Sequence, residues 1–499
     1  MMKHDVTVYP SKSQLLKEEH LAWKLAAVAS DPVAADADVI EMVINRVIDN
    51  TSVAMAAINR HAVISARDMA LGHPRSDGAT VFGLPTVAKV SPEWAAWANG
   101  TAVRELDFHD TYLAEDYAHP GDTIPPILAV GQAMGCTGTQ FIRGVVTAYE
   151  IQIDLCRSIS LHKHKIDHLA HLCPAQVAGI GAMLELSTET IYQAIQQAVH
   201  VSFTTRQSRK GEISSWKAYA PAHVGKLAVE AVDRAMRGET SPSPIYEGED
   251  SVIAWMLDGP DAHYTVRLPA PGEGKRAILE SYTKQHSAEV QAQAIIDLAL
   301  QMRGKIRSVA EIKEIILHTS YHTHNVIGTG SNDPQKFSPD ASRETLDHSV
   351  MYIFAVALTE GRWHHIDSYR RERVTDPQTI KLWRSIHTVE DPVWTAGYHH
   401  PDPRQRTHGA RAEIFLNDGT SIIDQLDRPH AHTAGVNPFR RARYLKKFRT
   451  LAEGIVSPVE SERFLHAAQR LEHLKAGELD NIHISLDDGK LHKGGPGIF

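Results

Sequence analysis

The sequence predicts a mainly α protein with a second, α+β domain. Three observations lead there. Apolar residues recur at helical spacing through the first half. A stretch rich in proline and glycine, "LPAPGEGKR" (268–276), ends that run. Beyond it the apolar pattern alternates, as strands require.

In order, "EEHLAWKLAAVAS" (18–30) has the apolar spacing of a helix. "ADVIEMVINRVIDNTSVAMAAI" (37–58) sets Ile40, Val43, Ile44 and Val47 at intervals of three and four. "SPEWAAWANGTAVREL" (91–106) opens on Ser91, Pro92 and Glu93, which suit an N-cap, the first helical position and the first turn. "TIPPILAVGQAMG" and "TQFIRGVVTAYEIQIDLCRSI" follow as apolar helices, and further helices are predicted at 173–186, 187–202 and 221–237. Past the break, "VAEIKEIILHTS" (309–320) alternates as a strand. "ARAEIFLNDGTSIIDQL" (410–426) is strand, Asn-Asp-Gly turn and strand, a hairpin signal. Helical patterns at 343–360 and 376–387 lie between them. "NPFRRARYLKKFRTLAEGIV" and "ESERFLHAAQRLEHL" return to helix. The expected division is a helical domain of residues 1–278 rejoined by 429–499, and an α+β domain of 279–428.

Composition bounds the function. The 499 residues are 42% hydrophobic and 22% charged, as in globular proteins. A net charge of −8 gives no general attraction for nucleic acid or anionic membranes, so neither partner is expected. An anion site would need cations placed locally. No uninterrupted apolar run reaches the ~18 residues of a membrane span. The N-terminal residues lack a signal-peptide core, so the expected compartment is the cytoplasm. The three cysteines, Cys136, Cys156 and Cys173, form no C-x-x-C pair. That argues against a disulfide framework, structural zinc and the usual iron–sulfur ligand set. With no H-E-x-x-H, Walker A or G-x-G-x-x-G pattern, neither metal nor cofactor is expected. Thirty histidines leave a His-rich metal carrier as an outside reading, one that predicts stoichiometric metal after purification.

Four polar clusters carry chemistry. "RELDFHDTYLAEDYAHPGD" (104–122) crowds acids and imidazoles between two core-forming helices. If the preceding helix continues, Asp107, Asp110 and Thr111 share a face, and His119 follows on a Pro-Gly turn. A carboxylate beside an imidazole is an acid/base or orienting pair; a solvated loop after a helix is the bland alternative. "LHKHKIDHLAHLCP" holds His162, His164, His168 and His171, with a basic loop as its alternative. "TRQSRKGEISSWKAYAPAHVGK" offers Arg206, Arg209, Lys210 and Lys217, an anion pocket if turned inward and a surface patch if not. "SYTKQHSAE" places Lys284 and His286 just past the break, where a cleft between domains would form. His324, Arg343, Asp347 and His348 could line the same cleft, whereas His364 and His365 read as structural or exposed.

At these residues a resemblance enters. "NGTAVRELDFHDT", "HPGD", a His-bearing segment before an Ala/Gly-rich helix, "WKAYAPAHVGKLAVEA" and "KKFRTLAE" follow in the order of the MmgE/PrpD family. Each motif is soft, but the ordered set covers nearly the whole chain. The resemblance is closest to the branch that dehydrates 2-methylcitrate. It implies a large all-helical domain, a smaller α+β lid, a site between them and a homodimer. By motif position it implies site residues at Asp107, Thr111, His119, His168, Lys217 and Lys284, with His171 one turn from His168. This chain departs from the family's usual pattern at His109, in "DHLAHLCP", at Trp216 and around Lys284, and those neighbours shape the substrate pocket.

The chemistry matches those residue types. A β-hydroxy tricarboxylate carries about three negative charges at neutral pH. Removing a proton next to a carboxylate builds more, which Lys217, Lys284 and an imidazolium would neutralise. Arg206 and Arg343 are candidate carboxylate clamps. Hydroxide leaves poorly without an acid, which His119 or His168 would supply, the other partner being the base. Asp107 would orient a histidine, and Thr111 would hydrogen-bond a substrate carboxylate. The expectation is metal-free dehydration of 2-methylcitrate in propionate degradation, with citrate as a second candidate substrate. Decarboxylation of cis-aconitate to itaconate and a non-catalytic helical scaffold are the alternatives.

Overall fold

The computed structural model describes the whole chain except residues 14, 401, 403 and 404. Long helices dominate its first half. Leu21–Ser30, Ala37–Ala57, His61–Leu71 and Pro92–Arg104 are followed by Ile124–Ala133, Gly138–Ser158, Leu169–Met183, Thr188–Ser202 and Trp216–Met236. Their contacts are rich in alanine and glycine, which lets backbones approach closely. At Gly144 and Gly179 each added Cβ would lie 2.8 Å from the other residue's carbonyl oxygen. The C-terminal helices Arg441–Ala452 and Pro458–Gln469 return to this layer, and Tyr444, Phe448, Leu451 and Phe464 join its core.

A second core begins at Ala288 and runs to Ile414. It forms between a four-stranded sheet and the helices Gln293–Arg303 and Val350–Glu360. The sheet order is Ser421–Leu426, Ala410–Leu416, Ile312–Thr319, Ile386–Glu390, with the last pair parallel and the others antiparallel. Ile315 and Leu317 alternate into this core, as the sequence pattern requires. The hairpin lies where the Asn-Asp-Gly turn put it.

Several expectations need correction. The pattern at 343–360 is two helices, Arg343–Leu346 and Val350–Glu360, because Ser349 caps the second through the Tyr352 N–H. The pattern at 376–387 ends as helix at Arg384, and Ile386 starts a strand beside Ile312–Thr319, where sheet pairing overrides helical spacing. The helices predicted from 173 and 221 begin at Leu169 and Trp216, with Pro174 and Pro221 inside them. Burial of the flanking alanine face outweighs the backbone bond each proline removes. The helical part also carries strands, Met2–Thr7 paired with His263–Leu268.

One correction bears on the site. The helix Pro92–Arg104 does not continue through Asp107. Asp110–Leu113 is a strand, so Asp110 and Thr111 face opposite sides.

Candidate active site

After the helix, the chain turns at Asp107 with φ of 48°, the left-handed region that Asp tolerates better than most residues. Lys284 Nζ lies 2.5 Å from Asp107 Oδ1, Lys217 Nζ 3.2 Å from Oδ2 and Arg104 Nη1 3.5 Å from Oδ1. Strand pairing delivers Lys284: Tyr282–Thr283 runs antiparallel to Asp110–Thr111, and the Lys284 N–H donates to the His109 carbonyl. Lys217 comes from the first turn of the helix Trp216–Met236. Its ammonium also lies 2.7 Å from Asp347 Oδ2, which Arg343 Nη1 approaches at 3.3 Å. Asp107, Lys217, Lys284 and Asp347 are each at most 2% exposed, so the cluster is closed to solvent.

Electrostatics in this closed place are strong. Burial pushes the Asp107 carboxyl up, but Lys284, Lys217 and Arg104 outweigh it and hold it well below the usual range. Asp347 is likewise held low, chiefly by Lys217 and His348 against burial. Burial pulls the Lys284 ammonium down, and Asp107 only partly restores it. Four cationic side chains, Arg104, Lys217, Lys284 and Arg343, thus stand together among Asp107, Asp347 and Asp122.

A second half adjoins it. His119 follows the strand Tyr117–Ala118. Its Nδ1 lies 3.2 Å from the Asp110 carbonyl, which accepts its proton and leaves Nε2 as the basic nitrogen. Burial, then Arg104 and Lys284, hold this imidazole well below its ordinary pKa, so it is uncharged. The His168 ring stands 5.6 Å from that of His119, edge to face. His168 Nδ1 is 2.6 Å from Asp167 Oδ1 in an off-line contact, and its Nε2 is 3.9 Å from Asp122 Oδ2. His171 is engaged elsewhere: its Nε2 is 2.9 Å from the Ile159 carbonyl, and burial pushes it down to about 4.

The remaining predicted residues fall into place unevenly. Arg343 reaches the lysine cluster and also donates to Ser287 Oγ at 2.7 Å. Arg206 does not: its guanidinium stacks 5.5 Å from the Tyr117 ring centroid and bonds His162. The Thr111 hydroxyl donates to the Ala118 carbonyl at 3.2 Å, a bond within the strand pair. Asp110 accepts from the Gly121 N–H, the Tyr149 hydroxyl and Arg46, so it braces the loop. His324 bonds Thr388, and His286 pairs with Asp297. His286, His364 and His365 line a separate cavity of about 540 Å³ beside Lys447.

Sequence reasoning missed Lys336 and Glu289. Lys336 is 1% exposed and lies 3.5 Å from Asp333. Only tertiary packing brings either residue to the cluster, and no spacing announces it. Asp107, Asp347 and His348 present ligand atoms within 4.8 Å of one another, a set that could hold a metal ion. The Lys217 ammonium already contacts both carboxylates and supplies the positive charge there.

Two family models match the chain. Residues 19–265 match the MmgE/PrpD N-terminal domain, and residues 286–473 match the MmgE/PrpD C-terminal domain. The chain belongs to the MmgE/PrpD family. Among its relatives, a protein of Cupriavidus necator named 2-methylcitrate dehydratase is 28% identical, over 81% of this chain and 84% of its own. One of Yarrowia lipolytica, named as the mitochondrial 2-methylcitrate dehydratase, is 26% identical over 68% of this chain and 66% of its own. One of Talaromyces stipitatus named alkylcitrate dehydratase is 25% identical, over 74% and 76%. The two family models meet near the Lys284 strand, so Asp107 and Lys217 come from one side of that junction and Asp347 from the other. No helix among the described residues is long and apolar enough to cross a membrane.

Proposed function

We propose that this MmgE/PrpD protein is a hydro-lyase that converts 2-methylcitrate to 2-methyl-cis-aconitate and water in propionate degradation. The observation that carries the reading is the closed cationic cluster of Lys217, Lys284, Arg104 and Arg343, set beside the uncharged His119. Three substrate carboxylates need cationic side chains gathered in this way. His119 Nε2 takes the proton next to a carboxylate, and Lys217 and Lys284 hold the carboxylate on which charge builds. His168 orients the pair through Asp167 and Asp122, Arg343 clamps a distal carboxylate, and Asp107 pairs with both lysines. Thr111 acts through the strand, and Arg206 through Tyr117, rather than by touching substrate. In this reading the Lys217 ammonium does the electrostatic work, no added metal is needed, and the chain works as a homodimer.

The test is an absorbance assay for the conjugated alkene carboxylate, using the full chain, 2-methylcitrate and excess chelator. A rising signal supports dehydration, and citrate offered as a competitor then ranks the substrates. No signal from folded protein sinks the reading, and itaconate formed from cis-aconitate would replace it with decarboxylation.

A further inference from the structure

The catalytic reading leaves one cationic stretch of the sequence unused. Arg440, Arg441, Arg443, Lys446, Lys447 and Arg449 crowd the start of the helix Arg441–Ala452, with no acid among them. That helix borders the cavity of about 540 Å³ beside Lys447. The segments 285–287 and 363–365 of the α+β part line the same cavity.

Charge in this cavity is unbalanced. None of the described residues that line it is acidic. Lys447 is answered from beneath by Asp49, its Nζ lying 2.8 Å from Oδ1, and it donates to the carbonyls of Phe108 and Lys284. His286 is answered by Asp297. Arg443 donates to neutral oxygens, the Asn437 carbonyl and Gln285 Oε1. Lys446 is exposed and has no ion-pair partner among the described residues. The two cations lie three apart, on one face of the helix.

Only a thin wall parts the cavity from the catalytic cluster. Phe108 and Gln285 line the cavity, and they follow Asp107 and Lys284 in the chain. Ser287 lines it too, and its hydroxyl oxygen accepts from Arg343 Nη2 at 2.7 Å. Arg343 also reaches Asp347, the partner of Lys217. Cations therefore succeed one another from exposed Lys446 through Arg443 and Arg343 to buried Lys217.

A trianion meets two obstacles on its way to this cluster. The net charge of −8 gives it no general attraction. Asp107, Lys217, Lys284 and Asp347 are nearly unexposed, so it must shed water before it meets them. A cationic cavity of small-molecule size eases both, because it draws the anion in and pairs it while still hydrated. The planar fork of Arg443 suits a carboxylate, and the Trp363 and Phe439 rings that line the cavity suit a carbon skeleton.

Building on the dehydration reading, we propose that this cavity is a docking site for the tricarboxylate substrate, which pairs with Arg443 and Lys446 before Arg343 leaves Ser287 and admits it to Lys217. Docking raises capture and leaves the chemical step alone. Its signature is a change in kcat/KM that salt erases.

The experiment uses the full chain with 2-methylcitrate at low and high ionic strength, alongside melting curves as a check on folding. Lys446→Gln should lower kcat/KM a few-fold at low salt, and Lys446→Glu by about ten-fold or more, with kcat retained. The differences should shrink at high salt. Arg237→Gln, an equal loss of charge at an exposed residue outside the cavity, should match wild type. A second readout needs no turnover: citrate should quench Trp363 emission, assigned by its loss in Trp363→Phe, and Lys446→Glu should weaken the quench. Lys446 variants that match Arg237→Gln at every salt overturn the inference alone, as does a quench that inorganic phosphate reproduces at the same concentration. A wild type that shows the Trp363 quench but dehydrates no hydroxy tricarboxylate removes the dehydratase reading and supports the tricarboxylate site.

Discussion

Asp107 contacts three cations at once, Lys217, Lys284 and Arg104. Truncating it to alanine leaves Lys217, Lys284 and Arg104 in a closed place with a carboxylate removed. Breaking a buried pair in this way costs about 3–5 kcal/mol. Asp107→Ala should therefore lower stability by that order in chemical denaturation and abolish turnover. Adding Lys284→Met should recover part of the stability and none of the activity. The histidines make a sharper comparison. His168→Gln should spare the fold and cut kcat by roughly ten-fold or more, since the imidazole faces His119 and Asp122. His171→Gln should do the reverse, because its ring only braces the Ile159 carbonyl. Parallel melting and kinetic curves on the two variants decide it. Spacing alone could not separate these residues, which lie one turn apart. What separates them is the position of Ile159 against His171 and of His119 and Asp122 against His168, a tertiary fact. The same limit hid Lys336 and Glu289, which lie in no periodic segment.

A two-residue strand pair does much of the positioning at the next scale. Asp110–Thr111 against Tyr282–Thr283 joins the His119 loop to the Lys284 segment across a long stretch of sequence. Arg46 bonds both Thr283 and Ser281, and it contacts Asp110, so one buried guanidinium ties the two strands. Gly121 completes the turn. A Cβ there would sit 2.6 Å from Asp110 Oδ1 and 2.8 Å from both Asn50 Oδ1 and His109 Cδ2. These atoms cannot retreat cheaply, since Tyr149 and Arg46 hold Asp110. Gly121→Ala should then move His119 and depress kcat by about ten-fold or more, while the helices persist in circular dichroism. The sequence made the long helices and the hairpin legible because their apolar spacing and turn residues are local. A helix continued through Asp107–Thr111 remained open from sequence because acids spaced i, i+3, i+4 look alike in a helix and in a turn followed by a strand. The strand Ile386–Glu390 was illegible for a similar reason: its partner, Ile312–Thr319, lies far away in sequence.

Across the whole molecule, the two hydrophobic cores meet over charged groups such as Lys217 and Asp347 and over a small apolar cluster of Leu113, Tyr282, Val290 and Tyr398. The loop between the helices Thr188–Ser202 and Trp216–Met236 is clasped to the α+β part by a few polar bonds. Gly211 N–H donates to Asp333 at 3.0 Å, Ile213 N–H to the Thr345 hydroxyl at 3.1 Å, and the Ser342 hydroxyl to the Ile213 carbonyl at 2.6 Å. Arg60 adds a 3.2 Å contact with Glu344. Each such bond contributes only about 0.5–1.5 kcal/mol. The clasp, which also includes the Lys217–Asp347 ion pair, can open without unfolding either core. It must open if a tricarboxylate is to reach residues that are nearly unexposed. Amide exchange at residues 209–215 and 333–347 should then be faster than in the flanking helices, and a bound tricarboxylate should slow it by joining Lys217 and Arg343 across the junction. Removing one bond by Ser342→Ala should speed exchange in both segments and raise KM several-fold, with kcat unchanged or higher. If exchange in the two segments is as slow as in the helix cores, and ligand leaves it unaltered, the substrate enters by another route.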